Sequence, residues 1–202
     1  MQAALSFGEN PNAAFTTPAF LVDRGFCLRH ARDSDFPRLQ ELYADTRADE
    51  MDCVPWPLVA KQQFLAQQFT LQHQHYLGHY ADADFMVIDY ESTLQGRYYL
   101  LRTAPDHLIV DISLMAAQRG KGIGRALIEA SQQEAQTLGR GMQLQVLQDN
   151  IRAQKLYEKL GFIVRDSSGM HLEMCWPASS AINMHNLDEK PNVIESSRRD
   201  TD

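Results

Sequence analysis

The sequence predicts an α+β fold, in which a mixed and largely antiparallel sheet is flanked by helices. Pairs of strand-like runs joined by turns indicate two antiparallel hairpins. A longer apolar run leads through a glycine-rich turn into a run with helical spacing, which indicates a strand followed by a helix. These runs are 85–88 with 97–102, 162–164 with 170–174, and 108–115 with 125–138.

The length and composition fit one globular domain with extensions. The chain has 202 residues, of which 44% are hydrophobic and 22% are charged, enough for a sizeable core. We place the domain at residues 25–177, after a weakly patterned N-terminal extension over 1–24. Beyond Trp176 the composition shifts to Ser, Asn, Asp, Glu and Arg, which predicts a disordered C-terminal tail over 178–202.

Charge and cysteine usage argue against several classes of function. With a net charge of −7 and a pI of about 5.5, the chain lacks the basic face that general nucleic-acid binding needs. No apolar run approaches the roughly 20 residues of a membrane span, and the N-terminus has no signal-peptide pattern. Cys27, Cys53 and Cys175 show no metal-binding spacing, and neither do the histidines. We therefore expect reduced thiols, no metal site, no membrane partner and a cytoplasmic location.

In the first half of the chain, a short strand is expected near residues 20–22 and the first sheet strand over 25–30. Helix-capping side chains in residues 32–35 then precede a helix. Its apolar residues recur at helical spacing and are Phe36, Leu39, Leu42 and Tyr43. Two prolines mark residues 45–57 as a loop, and a glutamine-rich helix is predicted over 58–76.

In the second half, the helix after the glycine-rich turn ends at two C-terminal glycines, Gly139 and Gly141. Its predicted buried residues are Ala126, Leu127, Ala130 and Leu138. Residues 142–147 alternate between apolar residues and glutamines, which indicates a strand buried on one face. Asn150 is placed to cap a further helix, which Gly161 ends.

The glycine-rich turn over residues 120–124 has glycines at alternate positions. A turn of this kind presents backbone N–H groups at a helix N-terminus, where the positive end of the helix dipole favours an anion. Glycine allows close approach of the anion and permits positive φ. Arg119, Lys121 and Arg125 add cationic donors suited to phosphate. The turn therefore predicts a phosphate site, although a glycine-rich turn without a ligand would have the same composition.

The glycine spacing excludes two common phosphate loops. A Walker A loop needs Ser or Thr after its lysine, whereas Gly122 follows Lys121. A dinucleotide-binding loop needs its third glycine one residue later than Gly124. The remaining pattern, Arg119-x-x-Gly122-x-Gly124, resembles the R/Q-x-x-G-x-G/A loop of the GNAT acetyltransferase superfamily, which binds the pyrophosphate of coenzyme A.

A second pattern follows one helix and one strand later. Asn150-x-x-Ala153-x-x-x-Tyr157-x-x-x-Gly161-Phe162 resembles the second GNAT signature and stands in the family's order, so that the resemblance covers about residues 26–176. Asn150 and Tyr157 are two helical turns apart and lie on nearly the same face. Asn150 can cap the helix and also bond a ligand. A phenol has a pKa of roughly 10, close to that of a thiol, so Tyr157 can protonate a leaving thiolate; packing alone would also explain an aromatic residue there.

The GNAT resemblance implies direct transfer of an acetyl group from acetyl-CoA, as co-substrate, to a small-molecule or peptide amine. It implies that strand 108–115 splays from strand 142–147 and holds acyl-CoA in the gap. Pantetheine would pair with the backbone of Ile112, Ser113 and Leu114, where an N–H would also polarise the thioester carbonyl. Tyr157 would protonate the coenzyme A thiolate. The other implied coenzyme contacts are Arg119, Gly120, Lys121, Gly122, Ile123, Gly124 and Asn150. GNAT domains often form dimers, so a homodimer is compatible with the resemblance.

A general base is harder to assign. The position that carries Glu in some family members falls near Leu108, which cannot accept a proton. Asp111, the carboxylate within the strand, is our first candidate, and it points away from the Leu108 face if the strand is regular. A structural hydrogen-bonding role fits Asp111 equally well, and Glu173 in the closing hairpin is another candidate.

The acceptor side and the exact function stay open at this level. The segment after the first helix walls the acceptor site in many GNAT proteins, so the residues expected there are Trp56, Phe69, Tyr76 and Tyr80. A non-catalytic acyl-CoA-binding sensor of the same fold would keep the glycine loop, as would an enzyme that uses a longer acyl-CoA. Tyr157 favours an acetyltransferase over a sensor.

Overall fold

The structure is a computed structural model that describes residues 6–7 and 15–178. The remaining residues, 1–5, 8–14 and 179–202, lie outside the described part of the chain. The predicted C-terminal tail therefore falls almost wholly outside it.

Within residues 6–7 and 15–178, seven strands form one open sheet, and every neighbouring pair is antiparallel except β4 and β5. The order across the sheet is β1-β2-β3-β4-β5-β7-β6. The strands are β1 Phe26–His30, β2 Asp84–Tyr90, β3 Thr93–Arg102, β4 Asp106–Leu114, β5 Gly141–Leu147, β6 Ile163–Ser168 and β7 His171–Trp176. The prediction of a mixed, mostly antiparallel sheet flanked by helices is confirmed.

The helices lie on both faces of the sheet. They are α1 Ala19–Val22, α2 Phe36–Thr46, α3 Ala48–Asp52, α4 Leu58–His79, α5 Ile123–Thr137 and α6 Ile151–Lys159. Two buried clusters separate the layers. One cluster joins α1, α5 and α6 to one face of the sheet, and the other joins α2 and α4 to the opposite face.

The central strands are buried on both faces, which explains their continuous apolar runs. In β2, Met86 and Ile88 pack in the α5 cluster, while Phe85 and Val87 pack in the α4 cluster. Successive side chains of a strand point to opposite faces, so one apolar run serves both layers. The strands β2 and β3 are therefore the buried centre of the sheet, and β4 pairs with β3 next to them.

The parallel ladder between β4 and β5 is short. It pairs Asp106–Ile109 of β4 with residues 141–144 of β5 and ends at Ile109 and Leu144. Beyond that point β5 pairs only with β7, whereas β4 continues beside β3 to Leu114. The two strands therefore part, as the splayed-strand prediction required.

A bulge lies where β4 and β5 part. Opposite β3, the register passes from Leu100–Ile109 to Tyr99–Asp111, so Val110 is an extra residue in β4. A bulge bends its strand and reverses the facing of the residues that follow. Val110 packs in the α4 cluster, and Asp111 also contacts α4, so β4 is not the regular strand assumed for Asp111.

In the second half of the chain, Leu138 was predicted to be buried but is 52% exposed. Three local predictions in the first half are also wrong. Residues 20–22 belong to the helical turn α1, because the amides of Leu21 and Val22 bond to the Pro18 carbonyl. The predicted loop over 45–57 contains helix α3, and its prolines fall after that helix. Helix α4 continues through Gly78 to His79, because packing of its buried face outweighs the roughly 1 kcal/mol propensity cost of one glycine.

Helix α1 is part of the hydrophobic core. The side chain of Leu21 is fully buried in the α5 cluster, while the neighbouring Val22 is 55% exposed. We expect Leu21→Ala to lower the free energy of unfolding by about 2–5 kcal/mol, the usual cost of a cavity in a packed core. Val22→Ala, as the matched control, should change it by about 0.5 kcal/mol or less. Urea denaturation measures both, and equal effects would mean that α1 does not contribute to the core.

Candidate active site

The glycine loop ends in the N-terminus of α5. Gly120 and Gly122 have φ of +78° and +84°, a conformation that favours glycine, and Gly122 is the residue before the first turn of the helix. The first N–H groups of an α-helix have no partner within the helix. They therefore point, with the positive end of the helix dipole, at the space beyond the loop.

Gly124 does not have a positive φ. A Cβ atom added there would lie 3.4 Å from Cδ1 of Ile112, an ordinary van der Waals distance. The first turn of α5 therefore lies directly against β4. The anion-binding end of the helix and the free end of the strand are held in one rigid unit.

The basic side chains of the loop have different surroundings. Arg119 donates to the carboxylate of Asp45 at 2.6 Å and to the carbonyl of Leu114 at 2.9 Å. It thus ties the loop to α2 and β4 through Nε and Nη2, while Nη1 has no partner among the described residues, so a contact of Arg119 with phosphate stays a prediction. Lys121 donates to Gln118 at 3.1 Å, and the exposed Arg125 pairs with Glu129 at 2.9 Å.

The end of β4 has one free edge. Ile112, Ser113 and Leu114 pair with β3 on one side, but no ladder joins them to β5. Backbone groups on that edge can pair with an extended ligand in the gap. The Leu114 carbonyl is an exception, because it already accepts from Arg119.

Tyr157 is a buried phenol on α6. Its ring packs on Phe162 at a centroid distance of 5.9 Å, and its side chain is 7% exposed. Within the described residues its hydroxyl makes no hydrogen bond that would occupy it. Burial, with a smaller contribution from the charge of Asp111, raises the pKa of Tyr157 to about 12. The phenol is therefore fully protonated at neutral pH and available as a donor.

Asn150 is the N-cap of α6. Its side-chain oxygen accepts from the amide of Ala153 at 3.1 Å, as predicted for a capping residue. A direct contact with a ligand stays a prediction. The cap fixes the start of the helix that carries Tyr157.

Asp111 is fully engaged by its neighbours. One carboxylate oxygen accepts from Arg97 Nε at 3.0 Å and from Ser113 at 2.7 Å. The other accepts from Arg97 Nη2 at 2.8 Å and from the Tyr76 hydroxyl at 2.9 Å. Burial raises the pKa of Tyr76 above its ordinary range, so Tyr76 remains a donor. A carboxylate has about four lone-pair directions, and none is left for an incoming ammonium. The geometry therefore does not favour the predicted role of Asp111 as a base.

The other predicted residues are spread over the fold. Glu173 lies on β7, which is separated from β4 by β5, and it faces Arg165 at 3.5 Å. Leu108 offers no ionisable group, as expected. Phe69 is fully buried between Phe36 and Tyr43, so the prediction that it contacts an acceptor is wrong.

The remaining acceptor-side candidates are not gathered in one place. Trp56 is 47% exposed and lies with Phe64 on an open groove at the start of α4. Tyr76 donates a hydrogen bond to Asp111, and Tyr80 makes edge-to-face contacts with Tyr76 and His75. Only Tyr76 is therefore tied to β4.

Sequence reasoning missed two residues that shape the site. Arg97 appeared only as the first residue of an apolar run, but its side chain is 3% exposed and holds Asp111. Asp45 was assigned to a loop, but it binds both Arg119 and the amide of Ala116. A charged residue inside a strand pattern was the available signal for Arg97; Asp45 offered none, because its partner is 74 residues away.

Within residues 6–7 and 15–178, no group of three or more His, Cys, Asp or Glu side chains is arranged to hold a metal ion. In the same part of the chain, no helix has both the length and the apolarity that a membrane span requires.

The family follows from comparison with known proteins. The Acetyltransferase (GNAT) family model matches residues 43–162, more than half of the chain. The protein therefore belongs to the GNAT acetyltransferase family. No curated protein matches the chain in sequence.

Solved structures share the fold at low sequence identity. PaiA N-acetyltransferase from Thermoplasma acidophilum, solved in complex with coenzyme A, is 18% identical, with a TM-score of 0.59 over 75% of this chain and 98% of that one. The ribosomal-protein-S18-alanine N-acetyltransferase from Escherichia coli is 16% identical, with a TM-score of 0.53 over 76% and 94%. A spermidine N-acetyltransferase SpeG chimera from Vibrio cholerae and hSSAT is 19% identical, with a TM-score of 0.52 over 79% and 99%.

The Arg97–Asp111 pair is a buried charge pair, so breaking it should be costly. We expect Asp111→Asn to lower the free energy of unfolding by about 3–5 kcal/mol, because the buried guanidinium loses its counter-charge. Glu129→Gln, which breaks the exposed pair with Arg125, should cost about 0.5 kcal/mol or less. Urea denaturation gives the free energy of unfolding of both variants.

A double variant separates charge from packing. Arg97→Met with Asp111→Leu should be less destabilised than Asp111→Asn alone, because no unpaired charge remains buried. If Asp111→Asn lowers the free energy of unfolding no more than Glu129→Gln does, the Arg97–Asp111 pair does not stabilise β4.

Proposed function

We propose that the protein is an acetyl-CoA-dependent N-acetyltransferase that acts on a primary amine. The observation that carries this proposal is the Tyr157 phenol, which is buried, protonated and unoccupied within the described chain. It is carried by α6, the helix that directly follows β5. Membership of the GNAT family makes acyl-CoA the expected substrate for the gap, and the coenzyme A bound to the PaiA structure supports this choice.

The glycine loop and β4 would bind the coenzyme. N–H groups of Gly122, Ile123 and Gly124 at the start of α5 are suited to the pyrophosphate. The free edge of β4 over residues 112–114, where alternate residues turn their backbone groups away from β3, is suited to the amide groups of pantetheine. An N–H on that edge would also stabilise the oxyanion that forms on the thioester carbonyl.

Transfer would proceed by direct attack. The nitrogen of a neutral amine forms a bond to the thioester carbonyl carbon, and the carbon–sulfur bond of the intermediate then breaks. The departing sulfur takes its proton from Tyr157, and the phenol is reprotonated from solvent. The amine gives up its proton to water, because the lone pairs of Asp111 are already occupied.

The acceptor is an amine of unassigned structure. The neighbours named for a ribosomal-protein alanine and for spermidine act on amines, which supports that chemical class. A non-catalytic sensor of the same fold would have no use for an unoccupied phenol, so Tyr157 favours an enzyme. A cytoplasmic location and a homodimer stay predictions from the sequence.

Removing the phenol should affect the chemical step. We expect Tyr157→Phe to lower kcat by about 100-fold or more, the range typical of a lost general acid, with little change in the Kd of acetyl-CoA. A thiol-release assay with a panel of amines gives kcat, and calorimetry gives the Kd. Tyr90→Phe, on β2 where the ring packs on Phe26, controls for the loss of a tyrosine hydroxyl outside the site. Unchanged turnover in Tyr157→Phe would remove this residue from the mechanism.

Blocking the loop should abolish coenzyme binding. We expect Gly122→Glu to eliminate the calorimetric signal of acetyl-CoA, because a side chain strains the positive-φ loop and its negative charge repels the pyrophosphate. Gly139→Glu is the matched control, since Gly139 also has positive φ, at +64°, but lies at the opposite end of α5. Tight binding by a folded Gly122→Glu variant, or no binding by the unaltered protein, would contradict the site.

A further inference from the structure

Helix α1 brings an aromatic ring to the glycine loop. A Cβ atom added at Gly122 would lie 3.5 Å from Cζ of Phe20, so the ring covers one side of the residue that begins α5. Phe20 is 46% exposed, although the adjacent Leu21 is fully buried. The ring therefore borders the anion-binding end of α5 and remains open to solvent.

The position of Phe20 follows from the anchoring of its neighbours. Leu21 is packed in the α5 cluster, and the hydroxyl of Thr17 accepts from the amide of Leu28 at 2.9 Å. These two contacts fasten α1 to the core and to β1. Because Leu21 faces inward, Phe20 is directed to the surface beside the loop.

Arg24 stands over the Phe20 ring. Its guanidinium carbon is 4.9 Å from the ring centroid, and the side chain is exposed. Within the described residues no carboxylate pairs with Arg24. A guanidinium stacked on a ring keeps its N–H donors free at its edge. The result is a guanidinium with unused donors, placed over the ring that borders the loop, in a chain of net charge −7.

We propose that Phe20 and Arg24 form an additional part of the coenzyme site, in which Arg24 binds the 3′-phosphate of coenzyme A and the Phe20 ring lines the adenosine side. This inference rests on the proposed function. Loop N–H groups can serve the pyrophosphate, but they leave the more highly charged phosphomonoester without a partner. A phosphomonoester carries nearly two negative charges at neutral pH, and arginine can bind it through two parallel hydrogen bonds.

The loop has a second basic neighbour, which lies next to Gly120. A Cβ atom at Gly120 would lie 2.8 Å from Nη2 of Arg152. Gly120 precedes Gly122 in the loop, so Arg152 and Phe20 flank it at different glycines. Of the two arginines, Arg24 is the one whose guanidinium lies on an aromatic ring. The contact with Phe20 orients the guanidinium before the ligand binds.

The test compares coenzyme A with 3′-dephospho-coenzyme A by calorimetry on the full-length protein. We expect the unaltered protein to prefer coenzyme A by about tenfold or more, as a charge-assisted hydrogen-bonded contact allows. Arg24→Gln should lose most of that preference while binding dephospho-coenzyme A as before. Arg165→Gln, which removes an arginine from the far edge strand β6, should keep the full preference.

Each outcome is informative. If Arg24→Gln keeps the full preference, Arg24 does not read the 3′-phosphate and the inference is overturned. If the unaltered protein binds both ligands equally, the inference fails but the proposed function stands. If it binds neither ligand, the proposed function itself fails.

Phe20 is tested separately. Phe20→Leu keeps an apolar side chain but removes the ring that supports Arg24, so the preference for coenzyme A should fall about threefold or more. Phe20→Ala should weaken the binding of both ligands. Retention of the native preference and affinity by both variants would exclude Phe20 from the site, and circular dichroism verifies that the variants are folded.

Discussion

The parting of β4 from β5 is the constraint on which the candidate site depends. Their ladder ends at Ile109 and Leu144, where the extra residue Val110 bends β4. The bend turns Asp111 toward α4, and Arg97 holds it there through two hydrogen bonds. The end of β4 is thus kept with β3, while β5 turns away with β7. A free strand edge arises next to the first turn of α5, and no separate loop is needed to build the gap.

A buried ion pair is a costly way to hold a strand. Arg97 and Asp111 are almost completely removed from water, and the desolvation of two charges offsets much of their attraction. An apolar pair of similar volume could pack at least as stably. Unlike an apolar pair, the hydrogen-bonded pair fixes the orientation of β4, because hydrogen bonds are directional. Donors from β3, β4 and α4 all converge on one carboxylate, so the bulged strand has one orientation instead of several.

The sequence predicted the parts of the site that depend on neighbouring residues. The glycines of the loop and the Asn150 cap act through the backbone within a few positions, and their spacing is visible in the chain. Asp111 was different, because its role depends on a bulge and on Arg97, Tyr76 and α4, which are distant in sequence. The exposed flank of the loop was missed for the same reason. Residues 20–22 resemble a strand in composition, and only the packing of Leu21 makes them helical.

Burial affects both partners of the proposed proton transfer. Removal from water raises the pKa of Tyr157 to about 12, which by itself would make the phenol a poorer acid. A thiolate that leaves inside the same closed cleft also loses its hydration, and its proton affinity rises for the same reason. The difference between the two proton affinities therefore changes less than either value. A buried tyrosine keeps its proton in the resting enzyme and can still give it up when a desolvated thiolate forms beside it, which is the behaviour that acyl transfer from a thioester requires of its acid.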